Sequence, residues 1–377
     1  MKSLLIVSLF TTLLFAGELP KGCEYDKECF FDLPGMVCAD GTPSYFSLTP
    51  RKNAKNLLVY LQGGGGCWNK MTCENGMARP LTRIVTATNW ENGIGIFNRN
   101  EPKNPFREDY DLVSVPYCTG DAFAGSRTTN YGTTEAPYII RHQGFGNVTA
   151  VLKQLQAFYP TPDKVVLLGQ SAGGMGTLIH AKSIDTFFPS AKKYVLDDSG
   201  VPLAPPIIPD RRYADLVQNW GIDVNFPAGK MPELKDYNFK SLIESNLRAL
   251  PKVRFGLIGS YTDYIMTVFS LTLGAPNAFT AVRNTLLQTA KDLIGDSPSA
   301  KVYYLVSSEH VFTNQDIGKI SSSNEILGDW MTSMVNDEAR WTNIRPDLNR
   351  QVAPVNPKDF YKSMGRRYDL DSLQNLE

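Results

Sequence analysis

The chain has 377 residues, of which 42% are hydrophobic and 20% are charged, as is usual for a globular protein. Its 38 basic and 38 acidic side chains give a formal net charge of zero, so the overall charge does not favour a nucleic acid or an anionic membrane as a partner. A chain of this length can form two domains, but α/β folds often run this long as one.

The first 17 residues have the pattern of a secretory signal peptide. Lys2 precedes an apolar run from Leu4 to Phe15, and the small residues Ala16 and Gly17 suit cleavage. The run is shorter than the roughly 20 apolar residues that a spanning helix needs, and no later segment is expected to be long and apolar enough to span. We therefore expect a secreted or periplasmic protein without a membrane span after cleavage, with residues 18–377 as a single domain.

All six cysteines lie in the first third of the chain. They are Cys23, Cys29, Cys38, Cys67, Cys73 and Cys118. An even number of cysteines behind an export signal indicates three disulfides, although six cysteines allow 15 connectivities. Zinc is the competing interpretation, but there is no CxxC pair and the three histidines do not cluster with the cysteines. We expect no metal and no cofactor.

After residue 50, apolar strands alternate with helical stretches, which predicts a mostly parallel sheet with helices on both faces. The predicted strands are 56–62, 111–117, 164–169, 193–197, 253–259 and 301–306. The predicted helices are 147–159, 173–188 and 278–293. Residues 201–250 begin Pro-rich and continue in a helical pattern, which predicts a helical insertion. The tail after about residue 341 is polar, and its placement is left open.

The segment from Gly169 to Gly173 reads G-x-S-x-G and lies between a predicted buried strand and a predicted helix. That context is the one in which a hydrolase presents a nucleophilic serine on a sharp turn. The alternative is a glycine-rich structural turn. The position at a strand-to-helix junction favours Ser171 as the nucleophile of an α/β-hydrolase-like fold.

A serine hydroxyl needs a base, and in this fold the acid and then the histidine follow the serine in the chain. Only His180 and His310 follow Ser171. His180 lies nine residues further along the same predicted helix, about 13 Å along its axis, and cannot reach back. His310 lies in a loop that follows a predicted strand. Functional side chains of an α/β sheet lie at the carboxyl ends of its strands, so His310 is the predicted base.

Two positions qualify for the acid that orients the base. Asp197 and Asp198 end one predicted strand, and Asp263 follows the next. The acid usually follows the penultimate strand, which favours Asp263. Asp198 is then expected to be structural and to bond to loops near the site.

A run of four glycines, 63–66, follows the first predicted core strand. Backbone N–H groups of Gly64 and Gly65, together with that of Ala172, are predicted to bind the oxyanion that forms during acyl transfer. The alternative is a merely flexible loop.

Several segments, in order, resemble motifs of the pectin acetylesterase and Notum family of serine carboxylesterases. Residues 38–43 look like its C-x-D-G-[ST]-P signature, and 61–69 with Cys73 are similar to its L-E-G-G-G-W-C-N loop. Residues 115–121 resemble I-P-Y-C-x-x-D, while 169–174 and 198–200 resemble G-x-S-A-G-G and D-S-G. The resemblance spans roughly residues 36–335.

This resemblance implies an α/β-hydrolase-like fold and metal-free hydrolysis of carboxylic esters. Asp263 and His310 fall where the family has its acid and base. The implied disulfides are Cys38–Cys118 and Cys67–Cys73, which leaves Cys23–Cys29. Two residues depart from the family pattern: Gln62 replaces a Glu, and Gly66 stands where the plant enzymes have Trp.

The expected function is that of a secreted serine carboxylesterase that works through an acyl-enzyme. An acetylated polysaccharide such as pectin is the first predicted substrate. A deacylase of lipidated protein or of small esters is the alternative. A non-catalytic binding protein on a hydrolase scaffold and a serine peptidase are two further possibilities.

Overall fold

The computed structural model describes residues 19–78, 80–84, 93–201, 209–226, 239–275, 277–295 and 297–346. The predicted signal peptide lies outside these residues, as does the tail beyond residue 346. In the described ranges, no helix is long and apolar enough to cross a membrane.

The described chain forms twelve strands and nine α-helices. The strands are β1 (Cys29–Phe31), β2 (Phe46–Thr49), β3 (Asn56–Leu61), β4 (Tyr110–Val115), β5 (Arg127–Asn130), β6 (Ile139–His142), β7 (Lys164–Gln170), β8 (Lys192–Asp198), β9 (Arg254–Ser260), β10 (Ala300–Leu305), β11 (Ser321–Ser322) and β12 (Glu325–Ile326). The helices are α1 (Lys70–Glu74), α2 (Gly144–Phe158), α3 (Ala172–Phe187), α4 (Asp210–Trp220), α5 (Ile222–Asn225), α6 (Phe239–Ala249), α7 (Tyr264–Thr272), α8 (Ala278–Gln288) and α9 (Leu327–Val335).

Eight strands form the central sheet, in the order β1-β2-β4-β3-β7-β8-β9-β10. The six strands from β4 to β10 in this order run parallel to one another. Strands β1 and β2 extend one edge in antiparallel pairing. The prediction of a mostly parallel sheet is confirmed, and all six predicted strands belong to it.

Helices cover both faces of the sheet because alternate residues of each buried strand point to opposite sides. Val165 and Leu167 of β7 pack into one hydrophobic cluster, together with residues of α2 and α3. Val166 and Leu168 pack into a second cluster with Trp330 of α9 on the other face. The near-continuous apolar run of β7 thus supplies both cores, and the prediction of helices on both faces is confirmed.

Two predicted helical segments differ in detail from the structure. The segment predicted as one helix over 278–293 is α-helical only to Gln288, and residues Thr289–Ile294 form a π-helical turn. The wider turn ends where the Gly295 N–H donates to the carbonyl of Ala290. The insertion predicted over 201–250 contains α4, α5 and α6, with residues 202–208 and 227–238 outside the described ranges.

The six cysteines form three disulfides: Cys23–Cys29, Cys38–Cys118 and Cys67–Cys73. Cys38 and Cys118 are 80 residues apart, whereas each of the other pairs is separated by 6. In the loop-closure account, the long bridge contributes the most stabilisation, about 4 to 5 kcal/mol.

A thiol titration of the denatured, unreduced protein is therefore expected to find no free thiol. The reason is that all six sulfur atoms are paired. Two or more free thiols per chain would contradict these pairings. A parallel sample reduced before denaturation controls for the accessibility of the reagent.

Candidate active site

Ser171 lies on a tight turn between β7 and α3. Its backbone has φ 55° and ψ −118°, a conformation that non-glycine residues rarely adopt. The Ser171 N–H donates to the carbonyl of Asp198 at 2.7 Å, and the turn passes so close to β3 that a Cβ at Gly173 would collide with the Leu61 carbonyl oxygen. The glycine therefore permits the turn that places Ser171 at the N-terminus of α3.

Asp263 and His310 are hydrogen-bonded to each other. The His310 Nδ1 atom lies 2.7 Å from Asp263 Oδ2, and the other carboxylate oxygen accepts from the Met266 N–H at 2.9 Å. The Asp263 carboxylate is fully buried, and the imidazole is 12% exposed. A proton on Nδ1 leaves the Nε2 lone pair of His310 as an acceptor.

Nε2 of His310 is buried and has no hydrogen-bond partner among the described residues, Ser171 included. The structure therefore joins the predicted base to the predicted acid but does not form a bond between the base and Ser171. Such bonds are often long in the absence of substrate.

Asp198, the other candidate acid, contacts the backbone beyond His310 rather than the imidazole. Its Oδ2 accepts from the N–H groups of Phe312 and Thr313 at 2.8 and 2.7 Å. Burial raises the pKa of this carboxyl group above its ordinary value. Through these contacts, Asp198 holds the loop that follows His310.

The remaining histidines, His142 and His180, are buried, and their hydrogen bonds go to groups other than Ser171. His180 lies within α3, and its Nε2 is 3.0 Å from the carbonyl oxygen of Phe123. The ring of His142 contacts the carbonyl of Thr119. Burial lowers the pKa of each imidazole to about 4. Both rings are therefore neutral near pH 7 and have structural contacts.

His180→Gln is expected to make the stability of the protein less sensitive to acid. In the native state His180 remains neutral down to about pH 4, whereas in the unfolded chain it gains a proton near its ordinary pKa of 6.5. Its folded pKa is lowered, so its contribution to stability is complete above pH 6.5 and is lost as the pH falls. Between about pH 6.5 and pH 5, the wild type should lose about 1.5 kcal/mol more of unfolding free energy than the variant. Urea denaturation at the two pH values measures the difference, and equal losses would contradict it.

The glycine run after β3 lies beside Ser171. A Cβ at Gly63 would come within 2.7 Å of the Gln170 carbonyl oxygen, so the two turns approach closely. Gly65 has φ +77°, and its carbonyl accepts from the Tyr117 hydroxyl at 2.7 Å. Gly65 and Ala172 line the same cavity as Ser171, whereas Gly64 is not among the lining residues.

The cavity above Ser171 has a predominantly apolar wall. Its empty volume is about 560 Å³, which includes space open to solvent. The apolar side chains that line it are Trp68, Ala122, Ala172, Met175, Val201, Tyr213, Leu216, Trp220, Met266, Phe269 and Leu273. They come from the disulfide loop that Cys67–Cys73 closes, the loops after β4 and β8, α3, the insertion helix α4, and α7 with the residue that follows it. The sequence prediction did not include this wall.

Trp220, the last residue of α4, is attached to the disulfide loop. Its Nε1 donates to the Cys67 carbonyl at 2.7 Å. A Cβ at Gly66 would lie 3.3 Å from Cζ2 of Trp220, so the indole covers the face of this glycine. A larger side chain at position 66 would require the indole to move. Gly66, noted above as a departure from the family pattern, thus makes room for Trp220.

The sheet order and the position of Ser171 on the strand-to-helix turn after β7 place the protein in the α/β-hydrolase-like class. Within this class, the chain belongs to the pectinacetylesterase family, whose sequence model matches residues 31–271. The matched range includes Ser171 and Asp263 and ends before His310.

Curated relatives match shorter segments. The chain is 29% identical to palmitoleoyl-protein carboxylesterase notum1a of Danio rerio over 166 residues, 43% of this chain and 32% of the relative. It is 31% identical to pectin acetylesterase 4 of Arabidopsis thaliana over 152 residues, 39% of this chain and 36% of the relative. It is also 32% identical over 94 residues to a Danio rerio protein named inactive palmitoleoyl-protein carboxylesterase notum1b, 24% of this chain and 67% of that relative. The matches thus span about a third of the length of the first two relatives.

Proposed function

We propose that the protein is a serine carboxylesterase that uses Ser171 as nucleophile, His310 as base and Asp263 as the acid that orients the base. The observation that carries this proposal is the buried 2.7 Å bond between His310 and Asp263, which leaves Nε2 of the imidazole free to accept a proton. Because one relative is named inactive, family membership alone does not establish activity, and the proposal depends on these side chains.

In the proposed reaction, Ser171 Oγ attacks the ester carbonyl carbon while its proton passes to Nε2 of His310. Asp263 stabilises the imidazolium. Backbone N–H groups of Gly64, Gly65 and Ala172 are the proposed donors to the oxyanion. The tetrahedral intermediate collapses, and the alkoxide leaves with the proton from His310.

Water then resolves the acyl-enzyme. His310 takes a proton from the water, whose oxygen attacks the acyl carbon, and the proton returns to Ser171 Oγ as the carboxylic acid leaves. Each step uses only the ester, water, and side-chain and backbone groups of this chain.

The apolar cavity favours the second of the two predicted substrate classes, esters of lipidated protein or small molecules with an acyl group longer than acetyl. An acetyl group would bring one methyl into a cavity whose wall is formed mostly by apolar side chains from six segments of the chain. Each further methylene that is buried contributes about 0.8 kcal/mol. Deacetylation of a polysaccharide such as pectin stays the alternative.

The test is a series of p-nitrophenyl esters from acetate to palmitate. We expect kcat/KM to rise by up to about fourfold per methylene until the cavity is filled, and then to fall. Trp220→Ala should move the optimum to longer chains, while Val224→Ala, an exposed residue of the same insertion, should leave it unchanged. An optimum at acetate in the wild type would support deacetylation instead.

The same assay separates the other possibilities. Hydrolysis of a matched peptide p-nitroanilide at a rate equal to that of the ester would indicate a peptidase. No turnover of any ester by the folded protein would indicate a binding protein.

We also propose that the protein is exported and that residues 18–377 act as one domain. Three disulfides support an oxidising compartment, since such bonds rarely persist in the cytosol. The N-terminal pattern of Lys2 followed by an apolar run supports the same proposal.

A further inference from the structure

The loop that carries His310 contains a strained residue directly after the histidine. Val311 has φ +62°, a left-handed conformation that a β-branched side chain strongly disfavours. Its side chain is only partly buried, so packing alone does not account for the conformation. A conformation of this kind persists only where neighbouring groups impose it.

The end of β8 and the residue after it supply these groups. Ser199 Oγ accepts from the Val311 N–H at 3.2 Å. Asp198 Oδ2 accepts from the N–H groups of Phe312 and Thr313 and from the Thr313 hydroxyl, at 2.8, 2.7 and 2.7 Å. The Ser199 hydroxyl also donates to Asp198 Oδ1 at 3.0 Å. Three consecutive backbone N–H groups after His310 are therefore bound by two adjacent residues.

Asp198 and the histidine loop are also connected to the turn that carries Ser171. The Ser171 N–H donates to the Asp198 carbonyl at 2.7 Å. The side chain of Gln170 donates to the Thr313 hydroxyl at 2.9 Å and accepts from the Tyr60 hydroxyl at 2.7 Å. These contacts are buried, and hydrogen bonds are stronger in an environment of low dielectric constant. The position of the histidine loop is thus set relative to the serine turn.

We propose that Asp198 and Ser199 are positioning residues that hold Val311 in its left-handed conformation and thereby aim the imidazole of His310 at Ser171. The proposal rests on the proposed role of His310 as base. It assigns no contact with substrate to Asp198 or Ser199.

A double-mutant cycle tests the proposal. Ser199→Ala removes the acceptor for the Val311 N–H, and Val311 can then relax to negative φ. We expect kcat to fall about tenfold with KM unchanged. The left-handed conformation of Val311 is unfavourable by a free energy that corresponds to about this factor, so Val311 leaves it once the acceptor is removed. Val311→Gly alone should keep kcat within about threefold of wild type, because glycine adopts positive φ without strain. When Ser199→Ala is added to the Val311→Gly variant, it should cost no more than about threefold.

The matched control is Ser333→Ala. Ser333 is a buried serine of α9 whose hydroxyl donates to the Trp330 carbonyl and to no group of the histidine loop. This variant loses a buried hydroxyl group without touching the histidine loop, and its kcat should equal that of wild type. Unfolding free energies of all variants, measured in urea, separate a loss of folded protein from a loss of kcat.

The proposal is overturned if Ser199→Ala retains the wild-type kcat, or if it costs the same factor with and without Val311→Gly. If Ser199→Ala does not fold, Thr313→Val provides the test, because it removes the hydroxyl that Asp198 binds and leaves the backbone N–H groups in place. Thr313→Val should lower kcat severalfold at unchanged KM and Thr313→Ser should restore it, and a wild-type kcat for Thr313→Val would overturn the proposal. An active Ser171→Ala variant would instead refute the proposed function itself.

Discussion

Replacing Ser171 with alanine is expected to lower kcat for small activated esters by about 10⁴ to 10⁶ while the protein remains folded. The hydroxyl is the proposed nucleophile, and alanine leaves no group that can form the acyl-enzyme. Alanine also has no larger side chain to disturb the turn at φ 55°. Hydrolysis of p-nitrophenyl esters, with circular dichroism and urea denaturation to verify folding, measures the effect.

The matched control is Ser321→Ala, which removes an exposed hydroxyl group from β11 and should leave kcat unchanged. If Ser171→Ala kept half of the wild-type activity, the assignment of the nucleophile would be refuted. Such a result would also remove the basis for the proposed esterase mechanism.

Asp263→Asn is expected to lower kcat by about 10³ to 10⁴ with the fold retained. An asparagine amide that donates to Nδ1 of His310 stabilises the tautomer with its proton on Nε2, and that tautomer cannot accept the proton of Ser171. Asp198→Asn is the matched comparison. Its carbonyl oxygen can keep the bonds from the histidine loop while its amide donates to Ser199 Oγ, so its effect on kcat should be smaller.

The opposite result would change the assignment of the acid that orients His310. If Asp198→Asn caused the large loss and Asp263→Asn were close to wild type, the acid would have to be assigned to Asp198. The proposed roles of Ser171 and His310 would remain, but the bond between His310 and Asp263 would no longer support them.

The parallel core of the fold could be predicted from sequence because its strands are buried on both faces. Such strands have continuous apolar sequences, as at 164–169. A run of this kind can be recognised without knowledge of contacts between distant residues. The turn that carries Ser171 was also predictable, since glycines at 169 and 173 are needed where backbones approach closely. The described part of the insertion is helical, as its pattern indicated.

Other features depend on contacts between distant parts of the chain. Strands β1 and β2 have only three and four residues, too few to give a clear alternation, and they join the sheet through antiparallel pairing at its edge. The π-helical turn after Gln288 likewise has no local sequence signal.

The cavity wall was missed for a similar reason. Its residues come from six separate segments, and only their packing brings them to one place. One signal was present in α4, where Tyr213, Leu216, Val217 and Trp220 recur at helical spacing and are buried. The spacing predicts a buried face but not the cavity that the face lines.

Covalent labelling of the nucleophile tests the central claim most directly. The folded protein is incubated with a fluorophosphonate, and the labelled peptide is identified by mass spectrometry. We expect one adduct per chain on the peptide that contains Ser171, loss of esterase activity in proportion to labelling, and no adduct on Ser171→Ala. An adduct on a different residue that accounts for the lost activity, or full activity after Ser171 is labelled, would contradict the proposed mechanism.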